Sequence, residues 1–172
     1  MKDDEVLLET KRFRVVRKTH ETPSGQSVVR ETVEHAGAVV ILPLLAKERL
    51  CLIRNYRYAV EETLVELPAG TLETGESPLE TAHRELIEET GYRAARIEPI
   101  HAFYASPGIL TEQMHLFVAT DLTPGEQQLE TGEQIQRLEV SWAQAMEMVR
   151  QREIKDAKTL VGLLFYDQYL RQ

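Results

Sequence analysis

Glu85, Glu88 and Glu89 lie in one short segment, SPLETAHRELIEET, whose ends carry helix signals. Ser77 is a good N-cap, Pro78 suits the first helical position and Glu80 closes a capping box. Gly91 is a natural stop. The segment therefore predicts a helix over 77–90. At the helical repeat, the three carboxylates fall within an arc of about 100°. Leu79, Ala82, Leu86 and Thr90 fall on the adjacent arc, the predicted core side. Carboxylates at this spacing repel each other, and Arg84 relieves part of that through Glu88, four residues on. A divalent cation among the three would remove the repulsion. Oxygen-only ligands favour Mg²⁺ or Mn²⁺ over zinc. The same arc also reads as a solvated acidic face. What favours the cation is the context: Gly70 and Gly75 flank a loop leading straight into the helix, Arg84 adjoins the acids, and Gly91 ends the helix cleanly.

The elements that must position this helix are mostly strands. Residues 5–17 and 26–35 read as two strands joined by a turn at Thr22-Pro23-Ser24-Gly25. Strands follow at 39–45 and 50–54, with a polar hairpin loop, Ala46-Lys47-Glu48-Arg49, between them, and a short strand at 63–67. Beyond the acidic helix, strands resume at 94–104 and 113–120, then a polar loop over 121–133 and a strand at 134–140. Ser141 with Gln144 caps a helix through Arg150, and Asp156 opens a last helix to Tyr169. This order predicts an α+β fold, with mixed β-sheets and flanking helices. Residues 1–35 read as an N-terminal β arm and 36–172 as the main domain.

Composition bounds the rest. The chain has 172 residues, 42% hydrophobic and 28% charged, the balance of one globular domain. The longest apolar run, 36–46, is too short to span a bilayer. The segment MKDDEVLLETKR has acids where a secretory signal is basic and then apolar, so a cytoplasmic location is expected. The net charge of −8 and the lack of a basic stretch argue against a nucleic-acid partner. An anionic ligand would need a local positive charge, which a metal ion supplies. Cys51 is the one cysteine; in an apolar, strand-like run it is expected to be buried and inert.

The stretch Gly70-x5-Glu76-x7-Arg84-Glu85-Leu86-x-Glu88-Glu89-x-Gly91-Tyr92 resembles the box of the Nudix hydrolase family, GX5EX7REUXEEXGU. Only the last position departs, with Tyr92 for an aliphatic residue. The resemblance implies a Nudix fold and hydrolysis of a nucleoside diphosphate linked to another moiety, with Mg²⁺ (or Mn²⁺) as cofactor. It implies Glu85 and Glu89 as the main metal ligands, with Glu88 joining them directly or through water, and the backbone carbonyl of Ala69 as a further ligand. Glu76 and Arg84 are expected to pair and hold the loop against the helix.

Other segments resemble the ADP-ribose pyrophosphatase branch. These are Glu66-Leu67-Pro68-Ala69-Gly70, Arg54-Asn55-Tyr56-Arg57 (close to RQYR), and Ala105-Ser106-Pro107-Gly108, with Pro107 placed 16 residues after Gly91. Each also reads as plain structure, a turn or solvated strand-edge charges. Taken together they imply hydrolysis of ADP-ribose to AMP and ribose 5-phosphate, with Arg57, Glu66 and Pro107 at the substrate. The rival readings are another nucleotide sugar such as GDP-mannose, or a Nudix module that binds nucleotides without cleaving them. The N-terminal arm resembles the one that crosses to a partner subunit in homodimers of this branch, with Phe13 and Arg30 flanking the adenine. Metal-bound carboxylates make poor proton acceptors, so the base is expected on the 121–133 loop. Glu133 is the first choice over Glu126 and Glu130, because it sits at the end of the loop anchored by the 134–140 strand, and its Gly-Glu setting resembles the loop glutamate of ADP-ribose pyrophosphatases.

Overall fold

The structure is a computed structural model that describes residues 5–46 and 48–171. Lys47 of the expected hairpin loop and the first four residues of the acidic N-terminus lie outside the described residues. The centre of the fold is β4 (Ala38–Leu45), an apolar strand covered on both sides. It runs parallel to β9 (Gln113–Thr123) and antiparallel to β7 (Ala69–Thr71) and to the start of β5 (Arg49–Arg57). β5 continues the sheet to β10 (Ile135–Ser141) and pairs at its far end with β6 (Glu62–Glu66); β8 (Arg93–Tyr104) pairs with β9 and closes the other edge.

Alternation along the strands splits the core in two. Val39, Ile41 and Cys51 face α1 (Pro78–Thr90), where they meet Ala82 and Leu86. Val40, Leu42, Leu50 and Leu52 face the other way, toward Trp142 and Ala145 of α2 (Trp142–Arg150) and Leu163 of α3 (Ala157–Tyr169). The expected mixed sheet with flanking helices is what forms. Cys51 is fully buried, and burial pushes its thiol up to about 12. It is inert, as its surroundings predict.

The N-terminal segment forms a sheet of its own, β1 (Glu5–Glu9), β2 (Phe13–Glu21) and β3 (Ser27–His35). The stretch 5–17 expected as one strand is two, because the Thr10 hydroxyl accepts the N–H groups of Arg12 and Phe13 and turns the chain back. The turn at 22–25 forms as expected, with Gly25 at φ 78°. This sheet meets the body at one seam: Val33 exchanges backbone hydrogen bonds with Ile109 and Thr111 of the loop between β8 and β9.

Three further expectations are corrected. Leu79 is 44% exposed and does not belong to the core face of α1. Residues 121–123 extend β9 rather than opening the loop, and Ala69–Thr71, beyond the end of the strand expected at 63–67, form a strand of their own, β7.

α3 is fastened to the sheet by polar contacts. Asp156 caps it, and the Thr159 hydroxyl accepts the Leu67 N–H at 2.8 Å. Beside them, the Lys158 ammonium binds the buried carboxylate of Glu66. Lys158→Met should therefore leave Glu66 short of a partner in a dry place, at a cost of about 3 kcal/mol. Urea unfolding would show it; a loss below about 0.5 kcal/mol would contradict this account.

Candidate active site

α1 begins and ends on the signals that the sequence carries. The Ser77 hydroxyl accepts the Glu80 N–H at 3.3 Å and the Glu80 carboxylate accepts the Ser77 N–H at 2.8 Å, a closed capping box. Gly91 takes the left-handed conformation, φ 73°, and its N–H returns to the Ile87 carbonyl. Between these ends Arg84 binds four partners. It grips Glu76 at 3.0–3.1 Å, Glu85 at 2.7 Å, Glu88 at 3.0 Å, and the Thr71 carbonyl. The expected Glu76–Arg84 pair is present, and Arg84 holds the Glu76 carboxyl down at about 2. Arg84 relieves Glu85 as well as Glu88, more than the four-residue spacing alone suggests.

Glu85 and Glu89 sit on the buried side of the acidic arc, 9% and 2% exposed. Burial pushes Glu85 up to about 7, against the pull of Arg84. It pushes Glu89 up to about 8, against the Ala69 N–H that Glu89 accepts at 2.8 Å. The charges of Glu133 and the neighbouring box acids add to both shifts. Gly70 is required here: a Cβ built on it would lie 1.9 Å from the Glu85 carboxyl carbon. Strand β7 and helix α1 thus touch with only a hydrogen atom to spare.

The residues fit a hard divalent cation. Two desolvated carboxylates, a third at the rim in Glu88, and the backbone of Ala69 beside Glu89 form an all-oxygen donor set. Among the described residues no three acidic, His or Cys side chains form a converged metal cluster, and Arg84 holds oxygens of both Glu85 and Glu88. A cation here competes with that guanidinium.

Gly70 and Ala69 also border a cavity of about 510 Å³. Leu64, Phe103, Tyr104 and Met114 supply apolar wall, and Arg57, Glu66, Asp156 and Lys158 a charged one. Arg57 reaches the cavity, but its fork is closed on Glu66 at 2.8 and 2.6 Å. Glu66 has no exposed surface, and Arg57 and Lys158 hold both of its oxygens. It stands as the buried anchor of Arg57. Lys158 is missing from the sequence reading; the signal that could have found it is Glu66 itself, a carboxylate in an apolar strand that needs a cation.

The remaining predicted residues lie outside the cavity wall, and Glu133 among them is near enough for its charge to act on Glu85 and Glu89. Pro107 is exposed on the loop over 105–112, which reaches the cavity through Ala105 and Glu112. Phe13 and Arg30 do not meet: Arg30 pairs with Lys18, five positions from Phe13, and an odd offset places them on opposite faces of the N-terminal sheet. Glu133 lies on the exposed loop over 124–134, its carboxylate accepting the Glu130 N–H at 2.9 Å. Glu126 and Glu130 are exposed on the same loop. The loop is rooted on α1, where the Glu88 and Glu89 carbonyls accept the Gln128 N–H at 3.0 Å and the Gln127 amide at 2.5 Å.

Comparison with known proteins agrees with this geometry. Residues 33–162 match the family model of the NUDIX domain. An ADP-ribose pyrophosphatase of Bacillus subtilis (strain 168) is 41% identical over 88% of this chain and 80% of its own. A methanol dehydrogenase activator of Bacillus methanolicus is 37% identical over the same shares. A GDP-mannose pyrophosphatase of Cronobacter sakazakii is 39% identical over 74% of this chain and 71% of its own. Among solved structures, an ADP compounds hydrolase superposes with a TM-score of 0.84 at 25% identity, covering 98% of this chain and 92% of the other. The glycine that admits Glu85, the buried carboxylates and most of the cavity wall all fall inside the matched stretch, and the chain belongs to the Nudix family.

Proposed function

We propose that this protein hydrolyses the pyrophosphate bond of ADP-ribose, releasing AMP and ribose 5-phosphate, with Mg²⁺ held by Glu85, Glu89, Glu88 and the Ala69 carbonyl. The observation that carries the reading is the pair of buried carboxylates that Gly70 admits, with Gly70 and Ala69 themselves in the wall of a cavity of about 510 Å³. The 41% identity to an ADP-ribose pyrophosphatase supports the choice of substrate. Mn²⁺ suits the same donors.

Divalent cations bound among these carboxylates would neutralise pyrophosphate charge and lower the pKa of the attacking water. The chain's own residues do the rest. Arg84 and Glu76 fix the helix face on which Glu85 and Glu89 stand. Arg57, whose proton Glu66 holds more firmly still, presents a permanent charge at the cavity wall for the anionic substrate. Lys158 and Glu66 keep that guanidinium in place. Glu133 takes the proton of the attacking water on its carboxylate oxygen. Pro107 shapes the loop over 105–112 at the cavity's edge.

A second substrate is favoured by one observation, the 39% identity to a GDP-mannose pyrophosphatase. The same carboxylates serve either pyrophosphate. The difference would lie in contacts to the base and the terminal sugar.

The arm over 1–35 is proposed to build a homodimer around the 36–172 domain. Its sheet leaves Val6, Leu7, Leu8, Phe13 and Val29 exposed, and three thin strands need a covered face. Phe13 of one protomer and Arg30 of the other are then free to flank one adenine, although they diverge within a chain. A cytoplasmic location accompanies this reading; among the described residues no helix is long and apolar enough to cross a membrane.

Incubation with nucleotide sugars and a coupled phosphatase should release phosphate fastest from ADP-ribose, and EDTA should abolish it. Release that is faster from GDP-mannose would select the second substrate; release that is indifferent to EDTA would end the metal assignment. Glu85→Gln and Glu89→Gln should each lower kcat by at least about 10²-fold while melting near the parent temperature. Near-parent turnover in Mg²⁺ would remove them as ligands. Light scattering should give about twice the monomer mass, and a fully active monomer would refute the arm's role.

A further inference from the structure

A proton acceptor on a loop works only if its backbone is held, since a misplacement of about 1 Å costs roughly 10²-fold in rate. The loop over 124–134 is held at both ends. At its start, Gly125 lies flush on the C-cap of α1: a Cβ on Gly125 would stand 2.8 Å from the Gly91 carbonyl oxygen, and one on Gly91 would stand 2.4 Å from that of Gly125. Gln127 and Gln128 bond the carbonyls of Glu89 and Glu88 just beyond.

At the far end one side chain performs this task. The Tyr58 hydroxyl donates to the Gly132 carbonyl at 3.4 Å and accepts the Gln134 amide at 3.1 Å. It therefore binds the residue before Glu133 and the residue after it. The Tyr56 N–H donates to the Gln134 carbonyl at 3.2 Å, and the Tyr56 ring meets the Tyr58 ring edge-on, 5.0 Å between centroids. Tyr58 follows Arg57 directly, in the turn between β5 and β6. One turn thus reaches both the cavity wall and the loop acid.

Tyr58 is 64% exposed, too open to matter much to the core. We infer that Tyr58 is a positioning residue for the reaction: its hydroxyl holds the Gly132 carbonyl and the Gln134 side-chain amide, beside the Gln134 carbonyl held by Tyr56, so that the Glu133 side chain swings from a fixed backbone. The swing is needed because the Glu133 carboxylate rests on the Glu130 N–H at 2.9 Å. This inference rests on the reading of Glu133 as the base.

The test is a double-mutant cycle on the full chain in Mg²⁺, with ADP-ribose as substrate, comparing Tyr58→Phe, Glu133→Gln and the double variant. Phenylalanine keeps the ring against Tyr56 and removes only the hydroxyl. Tyr58→Phe should lower kcat by about 3–10-fold, the value of one or two lost hydrogen bonds, with KM within about two-fold. Glu133→Gln should lower kcat by about 10²–10⁴-fold. The double variant should be no slower than Glu133→Gln, because Tyr58 acts only through that carboxylate. Amide exchange at residues 130–134 should rise in Tyr58→Phe while α1 keeps its protection.

If Glu133→Gln is crippled and Tyr58→Phe keeps parent kcat, the positioning role is overturned and the base stands. The same holds if the Tyr58→Phe loss persists in full in the Glu133→Gln background. If Glu133→Gln itself keeps parent kcat, the reading of the base falls and the role of Tyr58 with it.

Discussion

Two like charges, Glu85 and Glu89, are buried side by side against a sheet, and most of the site follows from that burden. A carboxylate removed from water costs several kcal/mol unless something compensates it. Here the compensation is incomplete. Glu89 has one backbone N–H, and Glu85 has a share of an arginine that also serves Glu76, Glu88 and a carbonyl. A helix carrying this load would leave the sheet if its other face were weak. Ala82 and Leu86 pack against Val39, Ile41 and Cys51, so that the apolar side holds the acidic side in place. Affinity for a divalent cation is then the reverse side of an electrostatic deficit built into the folded state.

The fold serves this arrangement by dividing its core. Because successive residues of β4 point to opposite faces, one strand supports α1 through Val39 and Ile41 and the α2–α3 layer through Val40 and Leu42. The acidic helix and the cavity's charged wall stand on opposite sides of the same sheet system, and they meet where β6 and β7 pass between them. Pro68, between those two strands, accepts the Ile41 N–H, which ties the crossing to the central strand.

What was legible in the sequence was what local rules govern. α1 was readable to the residue because Ser77, Pro78, Glu80 and Gly91 act within one turn of its ends. Ser141 and Asp156 announced the other two helices in the same way. Leu79 was misread because a helical wheel gives a direction and not the extent of the surface that lies there. The break at Thr10 depends on one hydroxyl reaching two N–H groups, a device with no loud composition. Of the Arg57–Glu66–Lys158 cluster, Arg57 and Glu66 were legible, and Glu66 in an apolar strand called for a cation; which cation was not legible, since Lys158 lies 92 positions away. The box acids were found as residues, but their opposite fates, Glu88 at the rim and Glu85 and Glu89 inside, depend on how closely Gly70 lets β7 approach.

The root of the loop over 124–134 has a mechanical meaning. Glu88 and Glu89 offer their carboxylates to the site and, through their carbonyls, hold Gln128 and Gln127. The start of the loop that carries the proposed proton acceptor, Glu133, is thus bolted to two of the residues proposed to hold the metal. Any tilt of α1 carries the start of the loop with it, while the end that bears Glu133 stays tied to the end of β5 and the turn after it through Tyr56 and Tyr58. The loop thus bridges two separately anchored elements, α1 at its start and the turn after β5 at its end, and its length sets how far apart they can stand.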